Sequence, residues 1–300
     1  MVFSVIQIGS RGSPLALWQA EHVKSRLVAL GHDAVIRVIT TTGDRLLHAR
    51  LQTVGGKGAF LKEIEEALQA GEVDLAVHSL KDVPVAAPDG LVLCAILERA
   101  DPRDALLSAG ARLDELPPGT RVGTTSLRRQ CQIRAIRPDL SLVDLRGNVD
   151  SRIRKLHEGQ YGAILLALAG LIRLGRQDEV TQVLEPDAFL PAPGQGAIAL
   201  ECRADDLLVK AAVSVFNHAP TAAAVTAERA FLAALGGGCN VPLGAYARPD
   251  ADGLRLSAFV GRVDGSALVR GDLAGKEPEA LGRALAADLI ARGARELMPH

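Results

Sequence analysis

Through the first two thirds of the chain, short apolar runs alternate with longer stretches whose apolar residues recur at helical spacing. Val5–Ile8 predicts a strand. Ser13-Pro14 then starts an amphipathic helix reaching about Leu30, with serine as the cap and proline at the first helical position. Gly31 ends it. Ala34–Ile39 predicts a second strand, Phe60–Gln69 a helix, Val73–Ser79 a third strand, and Leu91–Leu97 a fourth after a Pro-Asp-Gly turn. Arg99–Asp104 is charged and contains Pro102, which marks a crossing point. A second unit of the same kind comes next: strand Thr120–Gly123, helix Leu127–Ile136, strand Leu140–Leu145, helix Asp150–His157 and apolar strand Gly162–Ala169. The Pro- and Gly-rich Pro186–Gly196 marks a second boundary, and Ile198–Glu201 predicts a strand returning to the first unit.

Strand–helix alternation implies parallel or mixed sheets with helices on both faces. The expected architecture is therefore two α/β lobes joined by two crossovers, with a cleft between them where ligands meet strand ends. Lobe 1 takes residues 1–98 and 197–216 and lobe 2 takes 99–196, with hinges near 99–104 and 190–196. The tail differs, with helix Ala222–Leu235, a Gly-rich turn, strands Leu243–Ala247, Arg255–Val263 and Ala267–Ala274, and an amphipathic helix from about Pro278. Residues 217–300 thus form a small α+β domain.

Composition narrows the class. At 300 residues the chain exceeds what one core usually organises, and with 3% aromatic residues its cores must be aliphatic. The N-terminus has no basic leader ahead of an apolar run, and no stretch of about 18 apolar residues could span a membrane. Cys94, Cys131, Cys202 and Cys239 are far apart and form no CxxC pair, which fits free thiols in the cytoplasm and gives no support for a metal site. Net charge is −1, yet nine Lys/Arg lie between Arg121 and Lys155 against Asp139, Asp144 and Asp150. That excess suits an acidic ligand, or it is a solvated basic face.

Candidate chemistry gathers at strand ends. VDLAVHSLKDVP ends a strand in Ser79, Lys81 and Asp82, a carboxylate beside a lysine suited to acid–base work or to stabilising a cation; a surface ion pair is the plainer alternative. VGTTSLRRQ puts Thr125, Ser126, Arg128 and Arg129 at a strand-to-helix turn, where hydroxyls, backbone N–H groups and the helix dipole favour an anion. Arginine forks suit carboxylates. Arg146, Arg152, Arg173 and Arg11 repeat the placement, and together they point to a polyanionic ligand. VGGKGAF lacks the spacing of a phosphate loop and serves equally as a flexible loop. Cys94 and Cys202 read as packing residues on strands. Cys239, in GGGCNVP, comes after three glycines that could present a thiol for attachment or catalysis, although packing remains open for it too.

RGSPLALWQ, TTGD, VGGKGAF, VDLAVHSLKDVP, ERADPRDA, VGTTSLRRQ, LRGNVDSR, LALAGLIRLG, LPAPGQGAIALECR and GGGCNVP occur in that order, and over roughly residues 5 to 245 the chain resembles the hydroxymethylbilane synthase (porphobilinogen deaminase) family. The resemblance implies a transferase that condenses four porphobilinogen molecules head to tail, releasing ammonia each time, and then frees the linear tetrapyrrole by hydrolysis. It implies a dipyrromethane cofactor held by a thioether to Cys239. Asp82 is then the catalytic carboxylate, assisting loss of the amino group and stabilising the azafulvene cation. Ser79, Lys81, Asp82, Thr125, Ser126, Arg128, Arg129, Arg146, Lys57 and Asp44 fall on cofactor-binding positions. Arg11, Ser13, Phe60, Arg146, Arg152 and Arg173 fall on substrate-binding ones, with Phe60 stacking over pyrrole rings. Thr53 stands where the family often has lysine, Gly236 where it has glutamate, and Asn240 where glutamine or serine is usual.

The expected partner is porphobilinogen, with no metal, nucleic acid or membrane, and the chain is expected to be a monomer. Two other classes stay in view. A bilobed anion-binding protein would share the architecture of periplasmic solute-binding proteins, but a third domain and the Cys239 turn speak against it. An RNA-binding protein would need exposed aromatics among the arginines, and that stretch has none.

Overall fold

Strands β1 (Ile6–Ser10), β2 (Ala34–Val38), β3 (Leu75–Ser79) and β4 (Leu91–Ile96) form one sheet with the returning β10 (Ile198–Arg203), in the order β2-β1-β3-β10-β4. β1 pairs in parallel with β2 and β3, while β10 runs antiparallel to β3 and β4. A second sheet repeats this order as β7-β6-β8-β5-β9, from β5 (Asp104–Ser108), β6 (Arg121–Gly123), β7 (Ser141–Val143), β8 (Ala163–Ala167) and β9 (Gln182–Leu184). There β6 is parallel to β7 and β8, and β5 antiparallel to β8 and β9. In each sheet the strand that arrives by crossover is the antiparallel one. Its first residues therefore lie beside the carboxyl ends of the parallel strands. A third sheet, β11 (Leu243–Asp250), β12 (Gly253–Gly261) and β13 (Leu268–Gly275), is antiparallel throughout.

This computed structural model describes residues 5–42, 61–236, 241–251 and 253–298. Two compact units emerge, residues 1–100 with 197–222, and residues 101–196 with 223–300. In the first, α1 (Pro14–Ala29) and α6 (Leu207–Ser214) cover one sheet face, where Ala20, Val23, Leu27, Val209 and Val213 meet Ile8, Leu75, Val77 and Leu200. On the other face α2 (Lys62–Gln69) packs Ile64, Ala67 and Leu68 against Val73 and Ala76. In the second unit the strands alternate between two cores. Leu106, Ala163 and Leu165 face Ile133 of α3 (Leu127–Ile136), and Leu107, Ile164 and Leu166 face Ile153 of α4 (Val149–His157). Burial on both faces explains why β8 reads as one apolar run. One face of the antiparallel sheet is covered by Phe231 of α7 (Ala219–Ala234) and Leu285 and Leu289 of α8 (Pro278–Ala291), while Phe259 of β12 packs into a separate small core with Cys131 and Leu190.

The structure departs from the sequence pattern in identifiable ways. Arg99–Asp104, expected only as a crossing point, ends in the first residue of β5, a strand that the pattern does not predict. Its leading Asp104 hides an apolar run. β9 is three residues long, too short for a period to show. The apolar stretch expected to be one strand through Ala169 ends at Ala167 and continues as helix α5 (Leu168–Arg173), and α6 occupies a segment with no predicted element. Among the described residues no helix is long and apolar enough to cross a membrane.

Candidate functional site

In the first unit, β1 and β3 are neighbouring parallel strands, with Ile8 opposite Leu75. The segments leaving these two strands therefore emerge at one edge of the sheet. After β1 come Arg11 and Ser13. The Ser13 side chain accepts from Ala16 N–H at 3.4 Å and caps α1, with Pro14 at the first position, as the sequence predicts. After β3 the chain turns tightly through Leu80–Asp82. Leu80 is buried and its N–H donates to Ala197 O at 3.0 Å, while Val83 N–H donates back to Leu80 O at 3.0 Å. Ser79 is tied to the buried Gln19 of α1, whose Nε2 donates to Ser79 Oγ at 2.9 Å. The turn is thus pinned on both sides of Asp82. Asp82 itself is exposed, and no described residue hydrogen-bonds or ion-pairs with its carboxylate. Behind the turn His78 Nε2 lies 3.0 Å from Glu201 Oε2, with the two side chains 6% and 1% exposed. Burial, with the Glu201 charge adding to it, pushes Glu65 above its ordinary value.

In the second unit, β7, β6 and β8 are adjacent and parallel, so their carboxyl ends share an edge. Thr125 and Ser126 come directly after β6, Arg146 lies beyond β7, and Arg173 closes the helix that continues from β8. Ser126 is the N-cap of α3 but makes no side-chain cap bond, and its N–H donates to the buried Thr124 Oγ1 at 3.2 Å. Arg146 is exposed, its nearest carboxylate being Asp144 at 3.9 Å. Asn148 caps the next helix, accepting from Ser151 N–H at 2.9 Å. Gly147, between Arg146 and that cap, has φ +119°, where a side chain would be strained and would collide with the Ser151 hydroxyl. Arg152 lies half-buried on α4. Arg173 donates to Gly196 O at 2.6 Å, and burial pushes it down to about 10, still cationic at neutral pH.

Arg128 and Arg129 are differently employed. Both are buried, at 5% and 6% exposure, and both grip the wholly buried Asp104. Arg128 Nη1 donates to Asp104 Oδ2 at 2.6 Å and to Leu190 O at 2.7 Å. Arg129 donates to Asp104 Oδ1 from Nη2 at 2.6 Å and from Nε at 3.0 Å, and to Leu165 O from Nη1 at 2.8 Å. Gln195 Nε2 adds a further bond to Asp104 Oδ1 at 3.0 Å. Burial opposes ionisation of Asp104, but the two guanidiniums outweigh it and hold the carboxyl well below the usual carboxylate range. Arg128 Nε is buried with no acceptor among the described residues. Sequence reasoning missed Asp104, Gln195, Gln19 and the His78–Glu201 pair. The only trace was an aspartate heading an apolar run in ERADPRDA, since its meaning depends on β5 lying beside the end of β8, with Asp104 opposite Ala167. Asp44, Lys57, Phe60 and Cys239, with Thr53 and Asn240, lie outside the described residues.

Residues 6–211 match the family described as "Porphobilinogen deaminase, dipyromethane cofactor binding domain", and residues 222–291 match "Porphobilinogen deaminase, C-terminal domain". The chain belongs to the porphobilinogen deaminase family. Its similarity to curated members extends end to end. It is 49% identical over 302 residues to the porphobilinogen deaminase of Geobacter sulfurreducens, covering 99% of this chain and 95% of that one. With the porphobilinogen deaminase of Geobacter metallireducens it shares 50% over 297 residues, covering 98% and 93%. Membership makes the chain a transferase of tetrapyrrole biosynthesis with a dipyrromethane cofactor. Solved structures of similar shape include a periplasmic substrate-binding protein of an ABC transporter from Coxiella burnetii, at TM-score 0.45 and 15% identity over 72% of this chain and 93% of that one. The BvgS periplasmic VFT2 domain of Bordetella pertussis matches at TM-score 0.42 and 14% identity, over 70% and 85%.

Proposed function

We propose that the chain is a hydroxymethylbilane synthase that joins four porphobilinogen molecules head to tail on a dipyrromethane primer attached through Cys239, with Asp82 as its catalytic carboxylate. The observation that carries this reading is the Asp82 turn: a carboxylate free of described partners, on backbone pinned at Leu80 and Val83, in a chain of this family. The donor set suits the cofactor's chemistry, since pyrrole N–H groups need an acceptor and their acid side chains need donors. Asp82 supplies the acceptor. Arg146, Arg152, Arg173, Thr125 and Ser126 supply donors, and the orphaned Nε of Arg128 suits one further carboxylate. Lys81 and Ser79 would take further carboxylates beside Asp82. When bound, dipyrromethane provides the carbon nucleophile to which each new pyrrole is joined.

The protein's own contribution is electrostatic. As the substrate's amino group leaves as ammonia, positive charge grows on the pyrrole, and a fixed anion beside it lowers the barrier without reorganising. Asp82 is suited to this because its turn is held by backbone bonds and by buried Leu80 rather than by its own side chain. Arg11 and Ser13, at the same sheet edge, would orient the incoming acid side chains. The reading also makes the chain a cytoplasmic monomer whose substrate is porphobilinogen.

Intact mass before and after incubation with porphobilinogen tests the proposal. A two-pyrrole adduct mapping to the Cys239 peptide, extended in one-pyrrole steps by substrate, is the expected result. Folded protein whose mass stays unmodified after substrate or preformed hydroxymethylbilane would remove both primer and reaction. Asp82→Asn should keep the adduct and lose most turnover, by about a hundredfold or more if it serves as a general acid or base. Turnover near the parent rate would remove Asp82 from the mechanism.

A further inference from the structure

Cys94 and Cys202 belong to neighbouring antiparallel strands, β4 and β10. Cys202 lies opposite Val92, and Glu201 opposite Leu93. The register then shifts, so that Leu200 pairs with Ala95 and Cys94 becomes the extra residue of a bulge. A bulged residue keeps no partner of its own and can turn its side chain toward the face of its neighbours. Cys94 does so: it packs with Val92 against the core that holds Ala95, Leu200 and Cys202. Its Sγ lies 3.4 Å from Leu200 O, two residues from Cys202 along the partner strand. Both sulfurs are free thiols in the structure, Cys202 fully buried and Cys94 half-buried.

We propose that Cys94 and Cys202 form a dithiol oxidation site that closes to a cross-strand disulfide when the protein meets a hydroperoxide. The half-buried Cys94 sulfur attacks an oxygen of the hydroperoxide, the O–O bond breaks, and the departing oxygen takes the thiol proton. The Cys202 sulfur then attacks the sulfenic sulfur formed at Cys94, the S–O bond breaks, and the hydroxyl leaves as water with the Cys202 proton. The two thiols together lose two electrons, and the hydroperoxide is reduced to water and an alcohol or a second water. Access sets this order of roles, because Cys202 is fully buried and Cys94 only half-buried, whereas ionisation by itself favours the opposite order. Direct interaction with Cys94 lowers the Cys202 thiol, the resolving partner, while interaction with Cys202, reinforced by burial, raises Cys94. The raised Cys94 makes the first step slow compared with an exposed thiol. Cys131 is buried away from this core and pushed up to about 11 by burial, so it has no comparable partner among the described residues.

Peptide mapping under non-reducing conditions, after the native purified chain is incubated with excess hydrogen peroxide, tests the site. The expected product is one linked peptide containing Cys94 and Cys202, lighter by two hydrogen atoms than the sum of its parts and restored by dithiothreitol. Both thiols should vanish from alkylation together. Cys202→Ser should divert the reaction to sulfinic acid at Cys94, and this arm needs only that the variant retain its circular dichroism. Oxidation of Cys94 beyond the sulfenic state with Cys202 still alkylatable after unfolding, or survival of both thiols under these conditions, would overturn the proposal.

Discussion

At the scale of single residues, two arginines that look alike in the sequence do different work. Arg129 is buried on Asp104 and Leu165 O, whereas Arg146 stands exposed at a strand end. Removing one partner of a buried ion pair leaves the other charge uncompensated, at a cost of about 3–5 kcal/mol. Arg129→Ala should therefore lower the urea midpoint sharply. Arg146→Ala should leave the unfolding free energy within about 0.5 kcal/mol of the parent and instead raise KM or stall elongation. Equal stability losses in both variants would show that the buried cluster is not the anchor it looks to be. Asp104 adds a pH dependence of known sign. Its carboxyl lies lower in the folded chain than the ordinary unfolded value of about 3.9, so its contribution is complete above that value and is lost as the pH falls below it toward the folded pKa. The stability gap between the parent and Asp104→Asn should accordingly be widest near neutrality and shrink below about pH 4. A gap independent of pH would mean that the carboxylate charge contributes nothing.

At the scale of elements, the turn that carries Asp82 is set by the buried Leu80 side chain and by backbone bonds rather than by the Asp82 side chain. Leu80 is 1% exposed within the turn, and Leu75 is fully buried in the strand that leads into it. Truncating either to alanine should cost about 2–5 kcal/mol. Only Leu80→Ala should also lower kcat in protein that is still folded, because only that side chain fixes the backbone on which Asp82 sits. A matched loss of kcat in Leu75→Ala would assign the effect to the sheet as a whole. The same distinction explains what is legible in the sequence. α1 is legible because Ser13, Pro14 and Gly31 write its two ends locally, and the observed helix runs Pro14–Ala29. Asp82 and Arg146 are legible as residues just past strand ends because the strands before them are apolar and distinct, whereas Arg173 closes a helix that the same apolar run hides. The pairing of Asp104 with Arg128 and Arg129 is not, because it arises from β5 returning antiparallel beside β8. No periodicity in the sequence encodes a tertiary neighbour. Nor could spacing show that these two arginines turn inward while Arg146 does not.

At the scale of the whole molecule, the near-zero net charge conceals a functional asymmetry. Nine Lys/Arg stand between Arg121 and Lys155, but the buried carboxylate of Asp104 takes up Arg128 and Arg129, and Asp139 pairs with Arg137 at 2.6 Å. A smaller set of exposed or half-buried cations is left for an acidic ligand, and exposed charges are screened by salt. The Debye length falls from about 10 Å at 0.1 M to about 3 Å at 1 M. If those cations attract the acid groups of porphobilinogen, KM for porphobilinogen should rise steadily over that range while the urea midpoint at matched salt changes little, since the Asp104 cluster is shielded from solvent. Arg146→Ala should flatten the salt dependence because it removes one of the screened cations. A KM indifferent to salt would mean that substrate carboxylates are held by buried donors alone. The orphaned Nε of Arg128 would then become the first group to examine, and the exposed arginines would be left with solubility as their role.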